Sequence, residues 1–270
     1  RNWQTRRLQV PVVAISCGFK SHLLHNESIE LSMLFFVSGK DLQVMELKEI
    51  ATIHTDFPEK FGIPRQSGLV KGLRGTILFA PEYRNLDAIR GLEEFSHLWL
   101  IWGFSEVKRE NWTATVRPPR LGGKIRKGIF STRSPFRPNP IGLSSVKLES
   151  VTIDPKLGPL IEVSGIDMMD GTPIYDIKPY LPHIDAHQTA SGGFALAVEK
   201  EQLDVHFPDE LLPKIASADR SDLFELLAQD PRDRYIHDPK RIWGLAFRSY
   251  NIRFTVTENK LNVCEVAMRM

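Results

Sequence analysis

Three stretches stiffened by proline and loosened by glycine gather the residues that can hold an anion or move a proton. The densest is Arg117-Pro118-Pro119-Arg120-Leu121-Gly122-Gly123, continuing through Thr132-Arg133-Ser134-Pro135-Phe136-Arg137-Pro138-Asn139-Pro140-Ile141-Gly142-Leu143. Proline fixes φ and removes a backbone donor, so Arg137-Pro138-Asn139-Pro140 is held extended, while Gly122, Gly123 and Gly142 permit close backbone approach. Arg133 and Arg137 are four apart, a spacing that in an extended chain points both the same way and can clamp a carboxylate or phosphate. Any one of these residues alone also fits a proline-braced turn with solvent-exposed arginines.

The second stretch runs from Asp167 to Tyr180 (Asp-Met-Met-Asp-Gly-Thr-Pro-Ile-Tyr-Asp-Ile-Lys-Pro-Tyr). Asp170-Gly171 is a turn signal, and Pro173 and Pro179 stiffen the exit. The carboxylates, lysine and two tyrosines can bind the polar edges of an adenosine or act as acid and base, with Asp170, Asp176 and Tyr175 as candidates that the sequence does not rank. The third stretch, Lys60-Phe61-Gly62-Ile63-Pro64-Arg65-Gln66-Ser67-Gly68-Leu69, also reads as an ordinary surface connection.

Other chemistries find no support. No Gly-x-Gly-x-x-Gly follows a strand and no Walker-type loop is present, so a nucleotide cofactor must bind in another way. His183 and His187 are four apart, but Ile184 stands where the zinc-protease motif needs Glu, so no metal is expected. His97, at the mouth of an apolar strand, reads as a satisfied core histidine.

The elements that must position these loops are short β-branched and aromatic runs broken by Gly, Pro and Asn, the pattern of a sheet-rich domain beginning near Met45. The expected strands are 48–54, 75–79, 97–104, 128–131, 143–153 and 160–166, with one helix over Leu86–Glu94 capped by Asn85. Beyond about residue 200 the texture changes. Stretches 208–216 and 222–228 read as short helices, and 251–256 with 261–266 as a hairpin turning at Glu258-Asn259, with Ile252, Phe254 and Val256 on the buried face. The reading is mainly β: a cofactor domain over 45–200 and a small α+β domain over 201–270. Residues 1–44 lack helical or strand periodicity and are expected to be an upstream extension outside the fold.

At 270 residues with 42% hydrophobic content the chain can bury its own core. Cys17 and Cys264 lie far apart without a CxxC partner, which fits a reducing cytoplasm. The longest apolar runs are far shorter than the roughly 20 residues of a membrane helix. A net charge of +2 hides an imbalance, because Lys108–Arg137 holds nine basic residues against Glu110. Such a stretch is either a solvated face or a polyanion surface.

Taken together, Pro64-Arg65-Gln66, Phe95-Ser96-His97-Leu98-Trp99, Arg117–Gly123, Arg133–Leu143 and Asp170–Tyr180 resemble the TrmO (TsaA-like) family of tRNA N6-methyltransferases from about Met45 to the C-terminus. The resemblance implies a β-barrel-like N-terminal methyltransferase domain outside the Rossmann class. It implies S-adenosyl-L-methionine as cofactor, and methylation of the exocyclic nitrogen of N6-threonylcarbamoyladenosine beside the anticodon of threonine tRNA. A homodimer with the cofactor near its interface is implied as well. Carried over by motif, the cofactor contacts are Pro64, Arg65, Gln66, Arg133, Leu143, Asp170, Gly171, Thr172 and Pro173. Where the family often has His after the Phe closing the 98–104 strand, this chain has Ser105 and Glu106, which take that place in the set. Arg232-Asp233-Arg234-Tyr235 stands where the family's second-domain signature usually reads Arg-Pro-Ala-Tyr. That domain is expected to help recognise tRNA, with Arg117, Arg120, Lys124, Arg126 and Lys127 as its phosphate contacts on the first domain. The alternative from another class is a non-catalytic RNA-binding adaptor.

Overall fold

The computed structural model describes residues 46–107, 111–121, 124–198, 202–232, 236 and 238–269. The expected upstream extension, Lys108, Arg109, Gly122, Gly123 and 233–235 lie outside the described residues, as does the side chain of Arg120. Glu46–Met270 form one compact unit.

Six antiparallel strands close into a barrel. In chain order they are β1 (Ala51–Thr55), β2 (Arg74–Phe79), β3 (His97–Gly103), β6 (Ile141–Asp154), β7 (Gly158–Ser164) and β8 (Thr172–Pro179), hydrogen-bonded around the barrel as β1-β2-β7-β6-β3-β8. Between β3 and β6 lies a two-stranded hairpin of β4 (Thr115–Val116) and β5 (Lys127–Gly128). Period-two alternation fills the interior: Ala51 and Ile53, Ile77 and Phe79, Leu98, Leu100 and Trp102, Val146, Ile161 and Val163, and Ile174 are all buried. Closure leaves no exposed sheet edge.

A second sheet packs on the same continuous core. It consists of β9 (Asp204–His206), β10 (Trp243–Phe247), β11 (Tyr250–Thr257) and β12 (Lys260–Met268) in the order β10-β11-β12-β9. The helix α2 (Ser217–Ala228) contributes buried Leu223, Leu226 and Leu227, and the single turn α1 (Pro182–Asp185) follows β8. The expected hairpin forms, with Glu258 at φ 53° in its turn and Ile252, Phe254 and Val256 buried.

Several expectations are corrected. The helix over Leu86–Glu94 is two 3-10 turns, Leu86–Ile89 and Leu92–Glu94, separated by Gly91 at φ 83°, although Asn85 does cap by accepting from the Asp87 N–H at 2.9 Å. The strand over 128–131 is a 3-10 turn from Ile129, and the helix expected over 208–216 is only the 3-10 turn Leu212–Lys214, with Pro213 among its first positions. The stretch after Asp170 is not loop alone. Thr172–Pro179 is β8, with its prolines near the two ends, where missing N–H groups interrupt the ladder least. His97 is half-buried, not a core residue; its Nδ1 lies 3.0 Å from Ser96 Oγ and its ring tilts against Tyr180.

Candidate functional site

One end of the barrel opens into a cavity of about 880 Å³, within the usual range for a small-molecule site. Its wall comes from four segments. The loop between β1 and β2 gives Lys60, Ile63, Pro64, Arg65 and Gln66. The end of β3 gives Trp102 through Val107. The segment after β5 gives Thr132, Arg133, Pro135, Phe136 and Arg137, the start of β6 gives Ile141, Gly142 and Leu143, and the turn into β8 gives Asp167, Met168, Met169 and Thr172. Three stretches far apart in sequence therefore meet because β1, β3 and β7 alternate around the antiparallel barrel, run in the same direction and so finish at the same end.

Within the wall, Arg133 donates to the Gln66 side chain, joining the first and third segments. Arg137 does not join Arg133 in a clamp: its Nη1 donates to the carbonyls of Thr132 at 2.8 Å and Ser134 at 3.3 Å, bracing the loop. Lys60 Nζ reaches the Glu106 carbonyl at 3.1 Å. Apolar surface comes from Trp102 against Phe104, ring centroids 4.3 Å apart, and from Leu143, 57% exposed between buried Gly142 and Ser144. The mix of aromatic and aliphatic wall, an amide, a guanidinium and a carboxylate fits a nucleoside carrying an amino-acid tail.

Of the cofactor positions carried over by motif, Pro64, Arg65, Gln66, Ser105, Glu106, Arg133, Leu143 and Thr172 line this cavity, and Asp170, Gly171 and Pro173 do not. Asp170 is turned to β1, where its Oδ1 accepts the Thr55 N–H at 3.0 Å and lies 3.2 Å from His54 Nδ1. Gly171, at φ 74°, completes that turn, and Pro173 pairs with Thr52 in the sheet. Asp176 pairs with Lys178 at 2.8 Å. Tyr175 is the extra residue of a bulge, since Ile101 pairs with Asp176 and Trp102 with Ile174; the bulge brings the tyrosine hydroxyl against Gly103 at the cavity rim.

The residue that the motifs left unassigned is Asp167. Burial pushes its carboxyl above the ordinary carboxylate range, opposed by hydrogen bonds from Ser144 and the Ser67 N–H and by the charge of Arg133. Ser144 Oγ donates to Asp167 Oδ1 at 2.6 Å and accepts from Trp102 Nε1 at 2.9 Å. The available signal was a carboxylate directly after an apolar strand; its serine partner lay hidden at an inward position of β6.

The basic residues stand outside the cavity on the β4–β5 hairpin. Arg117 and Lys124 are exposed, Arg126 Nη1 donates to Thr115 Oγ1 at 2.9 Å, and Lys127 Nζ lies 5.2 Å from the Phe194 ring centroid. The hairpin adjoins the cavity loop through the Thr113 N–H, which donates to the Phe136 carbonyl at 3.4 Å. His183 and His187 are exposed, and among the described residues no three His, Cys, Asp or Glu side chains group as metal ligands.

Residues 52–186 match the family model of the tRNA-methyltransferase O N-terminal domain, and residues 200–269 match that of the TrmO C-terminal domain. The chain belongs to the TrmO family. A tRNA (adenine(37)-N6)-methyltransferase of Escherichia coli K12 is 39% identical over 221 residues, covering 79% of this chain and 94% of the relative. A Pyrococcus abyssi relative, named "Probable S-adenosyl-L-methionine-binding protein", is 34% identical over 147 residues, covering 54% of this chain and 74% of the relative. The crystal structure of TrmO from Pseudomonas aeruginosa superposes with a TM-score of 0.64 at 31% identity, covering 83% of this chain and 98% of that one. This mainly β chain, built around a closed barrel, thus shares its fold with a solved TrmO structure.

Proposed function

We propose that this chain transfers a methyl group from S-adenosyl-L-methionine to the N6 nitrogen of adenosine 37 in tRNA. The observation that carries the reading is the cavity, whose wall joins Pro64–Gln66, Arg133 and Leu143 in a chain of the TrmO family. The finer reading takes the acceptor to be N6-threonylcarbamoyladenosine of threonine tRNA and the protein to work as a homodimer in the cytoplasm. It rests on the sequence resemblance. No helix among the described residues is long and apolar enough to cross a membrane.

The sulfonium supplies an activated methyl group when the cofactor is bound. What remains for the protein is to hold donor and acceptor in line, a contribution of up to roughly 7–11 kcal/mol. Arg133 and Gln66 hold the polar part of the cofactor, while Leu143 and Trp102 cover its apolar faces. The exposed Arg117, Lys124 and Arg126 meet the tRNA backbone beside the cavity mouth.

Nucleoside mass spectrometry of tRNA incubated with the protein and S-adenosylmethionine tests the reading. One added methyl on the nucleoside at position 37 is expected, and on the threonylcarbamoyl form in particular. Unchanged tRNA would overturn it. A site filled at about 100 times its dissociation constant should gain about 2.7 kcal/mol of stability, whereas no thermal stabilisation by S-adenosylmethionine at any concentration would leave only an RNA-binding module.

A further inference from the structure

We infer that Asp167 is the base that receives the proton released by the acceptor nitrogen, and that Ser144 and Trp102 are positioning residues that hold its carboxylate. The inference rests on the methyl-transfer reading above and adds to it the residue that completes the proton balance. In the transfer, the N6 lone pair forms the new N–CH3 bond while the S–CH3 pair returns to sulfur, which becomes a thioether. The N6–H proton passes to Asp167 and from there to solvent.

The geometry fixes which way the proton can travel. An indole N–H only donates, so Ser144 Oγ must accept at its 2.9 Å contact with Trp102. The serine hydrogen is then committed to Asp167 Oδ1, 2.6 Å away. Asp167 stands at the end of this chain as an acceptor. Trp102 is 7% exposed and Ser144 1%, so both groups are largely shielded from solvent, and both side chains stand on neighbouring strands, β3 and β6. The Ser67 N–H, the Ser144 hydroxyl and the residue's own N–H are its protein donors. A carboxylate has about four lone-pair sites, so capacity remains for the substrate N–H on the side facing the cavity.

The other groups serve this purpose less well. Asp170 spends Oδ1 on Thr55 and His54 and lies off the cavity wall, and Asp176 pairs with Lys178. Tyr175 is not among the residues that line the cavity, and its hydroxyl lies against Gly103. Glu106 is exposed. Desolvation brings Asp167 closer to the reaction pH, which is what a general base needs. The cation acting on it is Arg133, from the loop after β5; the remaining ionisable side chains on the wall are Lys60 and Arg65 from the β1–β2 loop, Glu106 after β3, and Arg137.

The experiment uses the full chain with S-adenosylmethionine and substrate tRNA. Asp167→Asn should lower kcat by about 10²–10⁴-fold, with the cofactor Kd and the tRNA KM within about threefold of the parent, and should remove the acidic limb of the pH–kcat profile. Ser144→Ala withdraws a hydrogen bond that favours the carboxylate, so that limb should move to higher pH. Without any ligand, the melting temperature of the parent should fall relative to Asp167→Asn as pH rises from about 4 to 7, because an acid raised on folding binds its proton more tightly in the native state. Should Asp167→Asn fail to fold, the Ser144→Ala shift decides. A kcat within threefold of the parent, an acidic limb retained by Asp167→Asn, or one unmoved by Ser144→Ala overturns the base while leaving the methyltransferase reading intact. A parent chain that methylates no tRNA overturns both.

Discussion

Phe61 of the β1–β2 loop stacks on Trp243 of the second sheet, ring centroids 5.9 Å apart and planes 3° from parallel. Arg241 covers the other part of that indole, its guanidinium carbon 4.2 Å from the ring centroid. Next in the chain, Gly62 at φ 92° lies so close to buried Leu245 that a Cβ would collide with it. Arg65 then donates to the Asp230 carbonyl at 3.4 Å, and the Asp230 carboxylate is held by Arg232 through two bonds of 2.8 and 3.1 Å. The second sheet therefore supports the backbone that presents Pro64, Arg65 and Gln66 to the cavity.

Trp243→Ala removes a side chain only 6% exposed and should cost about 3–5 kcal/mol. The cofactor Kd should rise as well, because the Pro64–Gln66 face loses its backing. Chemical denaturation paired with titration calorimetry checks both, and an unchanged Kd in the folded variant would mean that the barrel holds this loop unaided.

Arg248, at φ 50° in the β10–β11 turn, reaches Asp222 at 2.7 Å and Asp219 on α2, and Asp56 after β1 at 3.4 Å. Arg248→Ala should destabilise the protein by about 1.5–3 kcal/mol, the range for a charge-assisted hydrogen bond. Urea melts read the change. A loss below about 0.5 kcal/mol would mark the cluster as solvent-screened.

Arg133→Ala removes the partner of Gln66 and should weaken S-adenosylmethionine binding by about 1.5–3 kcal/mol while leaving the melting temperature of the ligand-free protein nearly unchanged, because Arg133 is exposed. Equal affinity for variant and parent would remove Arg133 from the cofactor site.

Lys124→Ala should weaken tRNA binding and flatten its salt dependence by about 0.7 in the log–log slope, if the contacted strand behaves as single-stranded. Lys127→Ala should do the same and also remove the contact with Phe194. Filter binding between 50 and 200 mM salt would decide the matter, an unchanged slope returning these lysines to solvent.

The Asp185 carboxylate accepts the Leu181 N–H at 2.8 Å and Trp99 Nε1 at 2.9 Å, and these bonds hold it below the ordinary carboxylate range. A carboxyl depressed on folding adds stability above its unfolded pKa and loses it as pH falls through the folded value. Asp185→Asn should therefore lower the melting temperature near neutrality and narrow the gap to the parent in acid. A pH-independent gap would contradict this.

Most barrel strands and the stiff loops that meet at the site were legible in the sequence, whereas the 3-10 turns over Leu86–Glu94, Ile129–Ser131 and Leu212–Lys214 were not. Short β-branched and aromatic runs in 75–79 and 97–104 and apolar alternation in 251–256 marked strands, and the proline-rich Arg133–Leu143 and Pro64–Gln66 strings marked stiff loops. Which of their side chains face the cavity follows from the tertiary fold. Asp170 and Asp167 stand three apart in one motif, yet the turn that seats Thr172 in β8 rotates Asp170 onto β1 and leaves Asp167 on the cavity wall. The Trp102–Ser144–Asp167 chain depends on the β3–β6 register, and the Phe61–Trp243 stack joins residues 182 positions apart. Strand pairing and ring stacking between distant segments are set by packing of the whole core, for which no period along a single chain carries a signal.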